Sequence, residues 1–375
     1  MEQSDDLSFF GLFVLPRAQQ PSVAVAGHVL RKCGEPFLFV PRDSSLAVQA
    51  LELYPAQTRR ARLARSLLRA ALRTHVPLPL EAAQRRVALD DPFVQFLCQS
   101  AGTTPGEFPP LAILAGNPAT DGRRFTLLAF SPSGKPVTVA KAGISTAAKC
   151  LIAREEAFLN SVPQKLRGRI PTLRGVFHSG SVAAIALGFS PGDSPRGEVR
   201  GRLLEILGSW LSAGGTMALG EIPAWKPLYG HRASYPFLED LAVQQVVPGL
   251  AHGDFAPWNI KVSPRDGNWI VLDWERGELT GVPGWDWFHY EIQTAILVDK
   301  CSLSALHRRI DGLLSSASFR SYAMQAHIQE ISRPLVAAYL LHCLETVRPT
   351  EGLPTLRSLL AAQVSLVNAQ TSRRP

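Results

Sequence analysis

Apolar and polar residues alternate over short runs in the first half of the chain. In the second half apolar residues recur at intervals of three and four. Strands are therefore expected early and helices late. Val23 to Ala26 and Pro36 to Pro41 read as short strands punctuated by Gly and Pro. Residues 56–74 read as a helix with six arginines and no acid. Strand patterns follow at 111–115, 124–130 and 136–141, a three-strand meander whose Asp121-Gly122 pair favours a tight turn. A helix is expected over 146–159, then strands near 175–178 and 182–187. From about 198 helices dominate, at 198–213, 235–246, 286–298, 303–315, 320–346 and 354–368, with short strands and loops over 249–275. The fold class implied is α+β: an extra N-terminal α/β module (1–105), a β-rich unit (106–192) and a mostly helical unit (193–375).

Composition adds bounds. The 375 residues are 46% hydrophobic and 19% charged, which fits a globular chain. The net charge of +8 suits an anionic ligand. In the predicted helix over 56–74, Arg62, Arg65, Arg69 and Arg73 share a side at helical spacing. That makes it a candidate for peripheral contact with an anionic surface, or simply a solvated face. Five cysteines, none in a C-x-x-C pair, argue against a zinc site or a disulfide framework. The acidic start and the lack of a long apolar run lead us to expect a soluble, cytoplasmic protein.

The chemistry is concentrated in Leu250-Ala-His-Gly-Asp-Phe-Ala-Pro-Trp-Asn-Ile260 and Trp269-Ile-Val-Leu-Asp-Trp-Glu275. Phosphoryl transfer needs a hydroxyl held in line with a phosphate, a carboxylate to orient it and take its proton, and metal ions to neutralise the phosphate oxygens. Asp254 and Asn259, five residues apart on a loop, can face one spot. Asp273 closes an apolar strand. Asp254 as base, with Asn259 and Asp273 as hard oxygen ligands for Mg²⁺, forms a coherent set.

These residues resemble the aminoglycoside phosphotransferase/choline kinase family of small-molecule kinases, which has a two-lobed protein-kinase-like fold. The family's His-Gly-Asp, Asn and Asp-Trp-Glu motifs stand here as His252-Gly253-Asp254, Asn259 and Asp273-Trp274-Glu275. The resemblance covers about 109–345 and is strong over 250–290. It implies that 106–192 is a nucleotide-binding small lobe and 193–375 a catalytic large lobe, with ATP and Mg²⁺ as cofactors. It further implies that His252 holds the catalytic loop and that Asp286 braces it. Asp286 is also a helix N-terminal carboxylate, favourable by dipole alone.

In the small lobe Lys141, on the same strand face as Val137 and Val139, can reach nucleotide phosphates. Glu156 is favoured as its helix partner, with Glu155 the alternative. No Gly-x-Gly-x-x-Gly occurs. Gly116 to Gly122 takes the place of the phosphate-covering turn, and the backbone near Leu187 and Phe189 is the candidate for passing the adenine.

The expected acceptor is a hydroxyl of a small molecule. From Glu291 to the end, bases outnumber acids nine to six, which suits polycationic aminoglycosides poorly. Trp285, Trp287, Phe288 and Tyr290 could cage a choline, but at this spacing they point different ways and read as packing. A sugar or glycan-related acceptor fits better. Nucleic acid is not expected as a partner. The alternatives are a non-catalytic nucleotide-binding scaffold with this fold, or an aminoglycoside- or choline-type kinase.

Overall fold

The computed structural model describes residues 10–32, 34–54, 56, 59–74, 76, 80–104, 106–116, 122–345 and 353–371. The chain divides into two compact units. The first holds Met1–Asn160, Arg167–Asp193 and Lys261–Ile270; the second holds Ser161–Leu166, Ser194–Ile260 and Val271–Pro375.

The first unit is built on one eight-stranded antiparallel sheet. Its strands in chain order are β1 (Ser22–Lys32), β2 (Glu35–Pro41), β3 (Glu81–Ala88), β4 (Leu111–Ala115), β5 (Arg124–Phe130), β6 (Pro136–Gly143), β7 (Leu173–His178) and β8 (Ala183–Gly188). Their order across the sheet is β3-β1-β2-β4-β5-β6-β8-β7. The expected meander is β4-β5-β6. The expected boundary near residue 105 has no counterpart here, because β2 pairs directly with β4 through Leu38–Leu114 and Phe39–Ile113. The N-terminal strands need that neighbour: a strand buried on both faces must satisfy its backbone within a sheet.

Alternation along the strands feeds two cores. Phe39, Ile113, Phe125 and Leu127 face α3 (Pro92–Ala101) through Phe93, Phe96 and Leu97. Leu38, Val40, Leu128 and Phe130 face α1 (Ser44–Ala50), with Leu68 and Leu72 of α2 (Arg59–Arg73) packed against them. The sequence reading missed β3, α1 and α3, although α1 and α3 carry start signals. Asp43 accepts from the Ser45 and Leu46 N–H groups. Asp91, followed by Pro92, accepts from Phe93 and Val94, and Gly102 ends α3 in the left-handed region.

Helix α2 corrects the arginine reading. Arg65 pairs with Asp193 and Arg69 with Glu52, each at 2.8 Å. Leu63 and Leu67 are turned outward, 62% and 63% exposed, alongside Arg60 and Arg73. Arg62, Arg65, Arg69 and Arg73 therefore do not form one exposed basic face. Carboxylates from Glu52 and Asp193 draw two of the four arginines inward, and these partners are remote in sequence.

The rest of the helical framework includes α4 (Thr146–Ser161), which starts in the first unit, and, in the second unit, α5 (Arg200–Ser209), α6 (Phe237–Ala242), α7 (Trp285–Gln293), α8 (Leu303–Leu314), α9 (Ala317–Gln325), α10 (Ser332–Glu345) and α11 (Leu353–Thr371). The single helix expected over 320–346 is two. The chain turns at His327, which has φ 57°, and α10 restarts with Pro334 in its first turn, where a proline costs no hydrogen bond. Helix α7 is buried from Trp285 to Ile292. Its Glu291 is held between Arg200 at 3.2 Å and Arg309 at 2.7 Å. Among the described residues no helix is long and apolar enough to cross a membrane.

Candidate active site

In the second unit the His252-Gly253-Asp254 loop hangs from α7. The Asp286 carboxylate, in the first turn of that helix, accepts the His252 N–H at 2.7 Å and the Gly253 N–H at 3.0 Å. Burial pushes the Asp286 carboxyl up, opposed by the nearby His252 and these two N–H donors. The His252 ring is fully buried. Its Nδ1 accepts the Asp254 N–H at 3.1 Å and its Nε2 donates to the Leu272 carbonyl at 2.6 Å. The ring proton is therefore on Nε2, and the imidazole ties the loop to the residue before Asp273. Trp274, wholly buried and edge-on to His252 at 4.6 Å, closes the packing. Gly253 has φ 75°, and a Cβ there would come within 2.9 Å of Arg276 backbone oxygen. Both facts require glycine between the histidine and the aspartate.

Asn259 is buried. Its Nδ2 donates to the Asp254 backbone carbonyl at 2.9 Å and to Asp254 Oδ2 at 3.0 Å. With Nδ2 so committed, Oδ1 is the amide atom left for a cation. Asp273 has φ 64°, a conformation that aspartate tolerates better than most residues. Asp273 and Glu275 each offer a carboxylate oxygen within 4.8 Å of the other. This all-oxygen donor set fits Mg²⁺ by hardness.

His289, on α7, was not singled out in the sequence. Its Nε2 lies 2.9 Å from Asp254 Oδ1, and its Nδ1 lies 3.0 Å from the Tyr339 hydroxyl of α10. The only sequence signal was position: three residues after Asp286, hence on the same side of the helix. Burial lowers its basicity, but hydrogen bonding to Asp254 and to Cys343, with the charge of Asp254, more than offsets this, and its pKa is pushed up to about 9. Burial would raise the Asp254 carboxyl. The hydrogen bond and charge of His289, with His252 and Arg276, hold it below the usual carboxylate range.

The pair has a pH signature. A group whose folded pKa is raised stabilises the fold fully below its unfolded value, here 6.5, and that contribution is lost as pH rises through about 9. Asp254, with a lowered folded pKa, stabilises above its ordinary 3.8, and its contribution is lost as pH falls through the folded value. Urea unfolding across pH should show an alkaline decline that His289→Leu flattens. An unchanged decline would show that the pair carries none of it.

In the first unit, Lys141 stands opposite Thr126 and Ile185 in the sheet. It pairs with Glu155 of α4, with Nζ to the two carboxylate oxygens at 2.6 and 2.8 Å. Glu155 is fully buried and Lys141 is 7% exposed. This corrects the favoured partner. Glu156, one position on and turned 100° around the helix, instead meets His178 at 2.8 Å on the surface. Gly116 donates its N–H to the Arg124 carbonyl at 2.8 Å, closing the β4-β5 hairpin, and Gly122 packs against Leu151. The turn residues 117–121 lie outside the described residues. Leu187 is buried opposite Val139 in β8. The Gly188 N–H goes to the Thr172 carbonyl and the Phe189 N–H to the Val137 carbonyl, so neither donor is left for a base. Trp285, Trp287, Phe288 and Tyr290 are all buried, as packing residues rather than an open cage.

No protein-family model matches the chain, and none of the curated proteins compared matches it. Solved structures do resemble it. A Ralstonia eutropha protein provisionally assigned as an aminoglycoside phosphotransferase is 14% identical over 74% of this chain and 97% of that one, with TM-score 0.42. The aminoglycoside phosphotransferase APH(3'')-Id from Streptomyces rimosus is 13% identical over 71% and 98%, with TM-score 0.39. The macrolide 2'-phosphotransferase MphH from Brachybacterium faecium is 14% identical over 67% and 91%, with TM-score 0.38. At such identities and scores the likeness assigns neither an activity nor a residue role to this chain.

Proposed function

We propose that the chain is an ATP-dependent phosphotransferase that phosphorylates a hydroxyl of a small molecule. The observation that carries this is the held carboxylate of Asp254. His289 meets one oxygen at 2.9 Å and Asn259 the other at 3.0 Å, while the side chain stays partly open to solvent. An ionised carboxylate has about four acceptor sites, so both oxygens keep capacity to accept from a substrate hydroxyl.

In this reading Asp254 orients the acceptor hydroxyl and takes its proton. The acceptor oxygen forms a bond to the γ-phosphorus. The bond from that phosphorus to the β–γ bridging oxygen breaks, its electron pair leaving with ADP. Asn259 Oδ1 and Asp273 would hold Mg²⁺, which neutralises charge on the phosphate oxygens when bound. Lys141, oriented by Glu155, is assigned to the α/β-phosphates. The backbone near Gly116, Gly122, Leu187 and Phe189 is assigned to the nucleotide, through carbonyls rather than the N–H groups already used at Gly188 and Phe189.

A sugar or glycan-related acceptor is the favoured substrate class. The chain is basic, and Trp285, Trp287, Phe288 and Tyr290, the candidates for caging a quaternary amine, are packed inside. Release of ADP from Mg–ATP, measured over a panel of sugars, choline and aminoglycosides, tests both levels. Turnover confined to aminoglycosides would overturn the sugar preference. No turnover with any hydroxyl acceptor would favour a nucleotide-binding scaffold.

A further inference from the structure

The interface between α7 and α10 is largely apolar: Trp285 and Phe288 pack on Tyr339, and Leu335, Val336 and Leu340 are buried. Of the polar side chains in it, which include His342 against Trp285 at 4.4 Å, one buried dyad leads to Asp254. His289 is 4% exposed and Tyr339 3%. Burying an imidazole and a phenol hydroxyl stabilises no more than a well-packed apolar pair would, unless their hydrogen bonds serve something. Theirs form one line: the Tyr339 hydroxyl lies 3.0 Å from His289 Nδ1, and His289 Nε2 lies 2.9 Å from Asp254 Oδ1. The line ends on the partly exposed carboxylate assigned as the base.

We propose that His289, anchored by Tyr339, is a positioning residue that holds the Asp254 carboxylate in the orientation from which it meets the acceptor hydroxyl. This rests on the phosphotransferase reading and adds a part to it. Neither ring state breaks the contact. In the imidazolium both nitrogens donate. In the neutral ring Nε2 still donates to Asp254 while Nδ1 accepts from Tyr339.

The charged and titratable groups facing His289 are Asp254, Tyr339 and Cys343, with His342 also nearby. His342 is pushed down to about 4 by burial and by the neighbouring Arg276 and His289 cations. Burial pushes the Tyr339 phenol well up, so Tyr339 remains a hydroxyl. Two histidines three residues from Tyr339 or in contact with it are thus driven apart, and only His289 carries charge toward Asp254.

The test is ADP release from Mg–ATP by the full chain and by His289→Leu, His289→Gln and Tyr339→Phe, with melting temperatures measured alongside. Glutamine keeps a donor near the Nε2 position without the charge. Loss of the held orientation is expected to lower kcat by about 10²-fold in His289→Leu, since a displaced catalytic group costs about that much. The KM for ATP should stay unchanged, most of the kcat should return in His289→Gln, and Tyr339→Phe should fall between. Wild-type kcat in His289→Leu would overturn the proposal. So would equal losses in the leucine and glutamine variants that follow only the folded fraction. If His289→Leu does not fold, wild-type kcat in both His289→Gln and Tyr339→Phe at pH 7 and pH 10 would overturn it. An unmutated protein with no turnover would overturn the phosphotransferase reading and this proposal with it, whereas an active protein indifferent to His289 overturns this proposal alone.

Discussion

Replacing Asp254 by asparagine is expected to lower turnover of Mg–ATP by about 10²–10⁴-fold, the range contributed by a positioned acid or base. The side chain keeps its shape and one oxygen that can accept from either Asn259 or His289, and the loop stays tied through Asp286 and His252, so it should keep its fold. What is lost is the negative charge that orients the hydroxyl and takes its proton. Nucleotide affinity, measured by a fluorescent ATP analogue, should change little, because the residues assigned to the phosphates are elsewhere. The same substitution removes the partner that raises His289, so the imidazole should titrate well below about 9 in the variant. Normal turnover in Asp254→Asn would contradict its role as base.

The second large effect separates two adjacent glutamates. Glu155→Ala leaves Lys141 buried without the carboxylate that meets it at 2.6 and 2.8 Å. Breaking a buried ion pair from one side costs about 3–5 kcal/mol, enough to lower the urea midpoint sharply and to disorient the lysine. Nucleotide affinity should fall with it. Glu156→Ala breaks a surface pair with His178, a class of contact worth about 0–1 kcal/mol. Its unfolding curve should overlie the wild type. Equal, small effects of the two substitutions would show that the Lys141–Glu155 pair carries neither stability nor nucleotide binding.

The His252–Asn259 loop stands out in the sequence because its polar residues are local. Asp254 and Asn259 are close along the chain, and Asp273 follows a strand whose apolar run is unmistakable. The meander β4-β5-β6 was legible for a similar reason, since its turns are short and rich in Gly, Pro and Asp. Other features were settled by contacts remote in sequence. Which of Glu155 and Glu156 meets Lys141 depends on the rotation of α4 about its axis, fixed by packing of Ala148, Ile152 and Phe158. Arg69 and Arg65 of α2 turn inward because Glu52 and Asp193 meet them, 17 and 128 residues away. The N-terminal strands read as a separate module because no local pattern reveals that β2 will pair with β4. His289 was overlooked because a lone histidine in an aromatic helix looks like packing, and its partners Asp254 and Tyr339 lie 35 and 50 residues off.

The central claim is transfer of phosphate to a hydroxyl, and phosphorus NMR observes the transferred group itself. The protein, Mg–ATP and each acceptor of the panel are incubated and the spectrum is followed with time. The account predicts a new phosphomonoester resonance growing with ADP for at least one hydroxylated acceptor, absent without Mg²⁺ and absent in Asp254→Asn. A spectrum in which ATP persists unchanged with every acceptor, while the folded protein binds nucleotide, would contradict it.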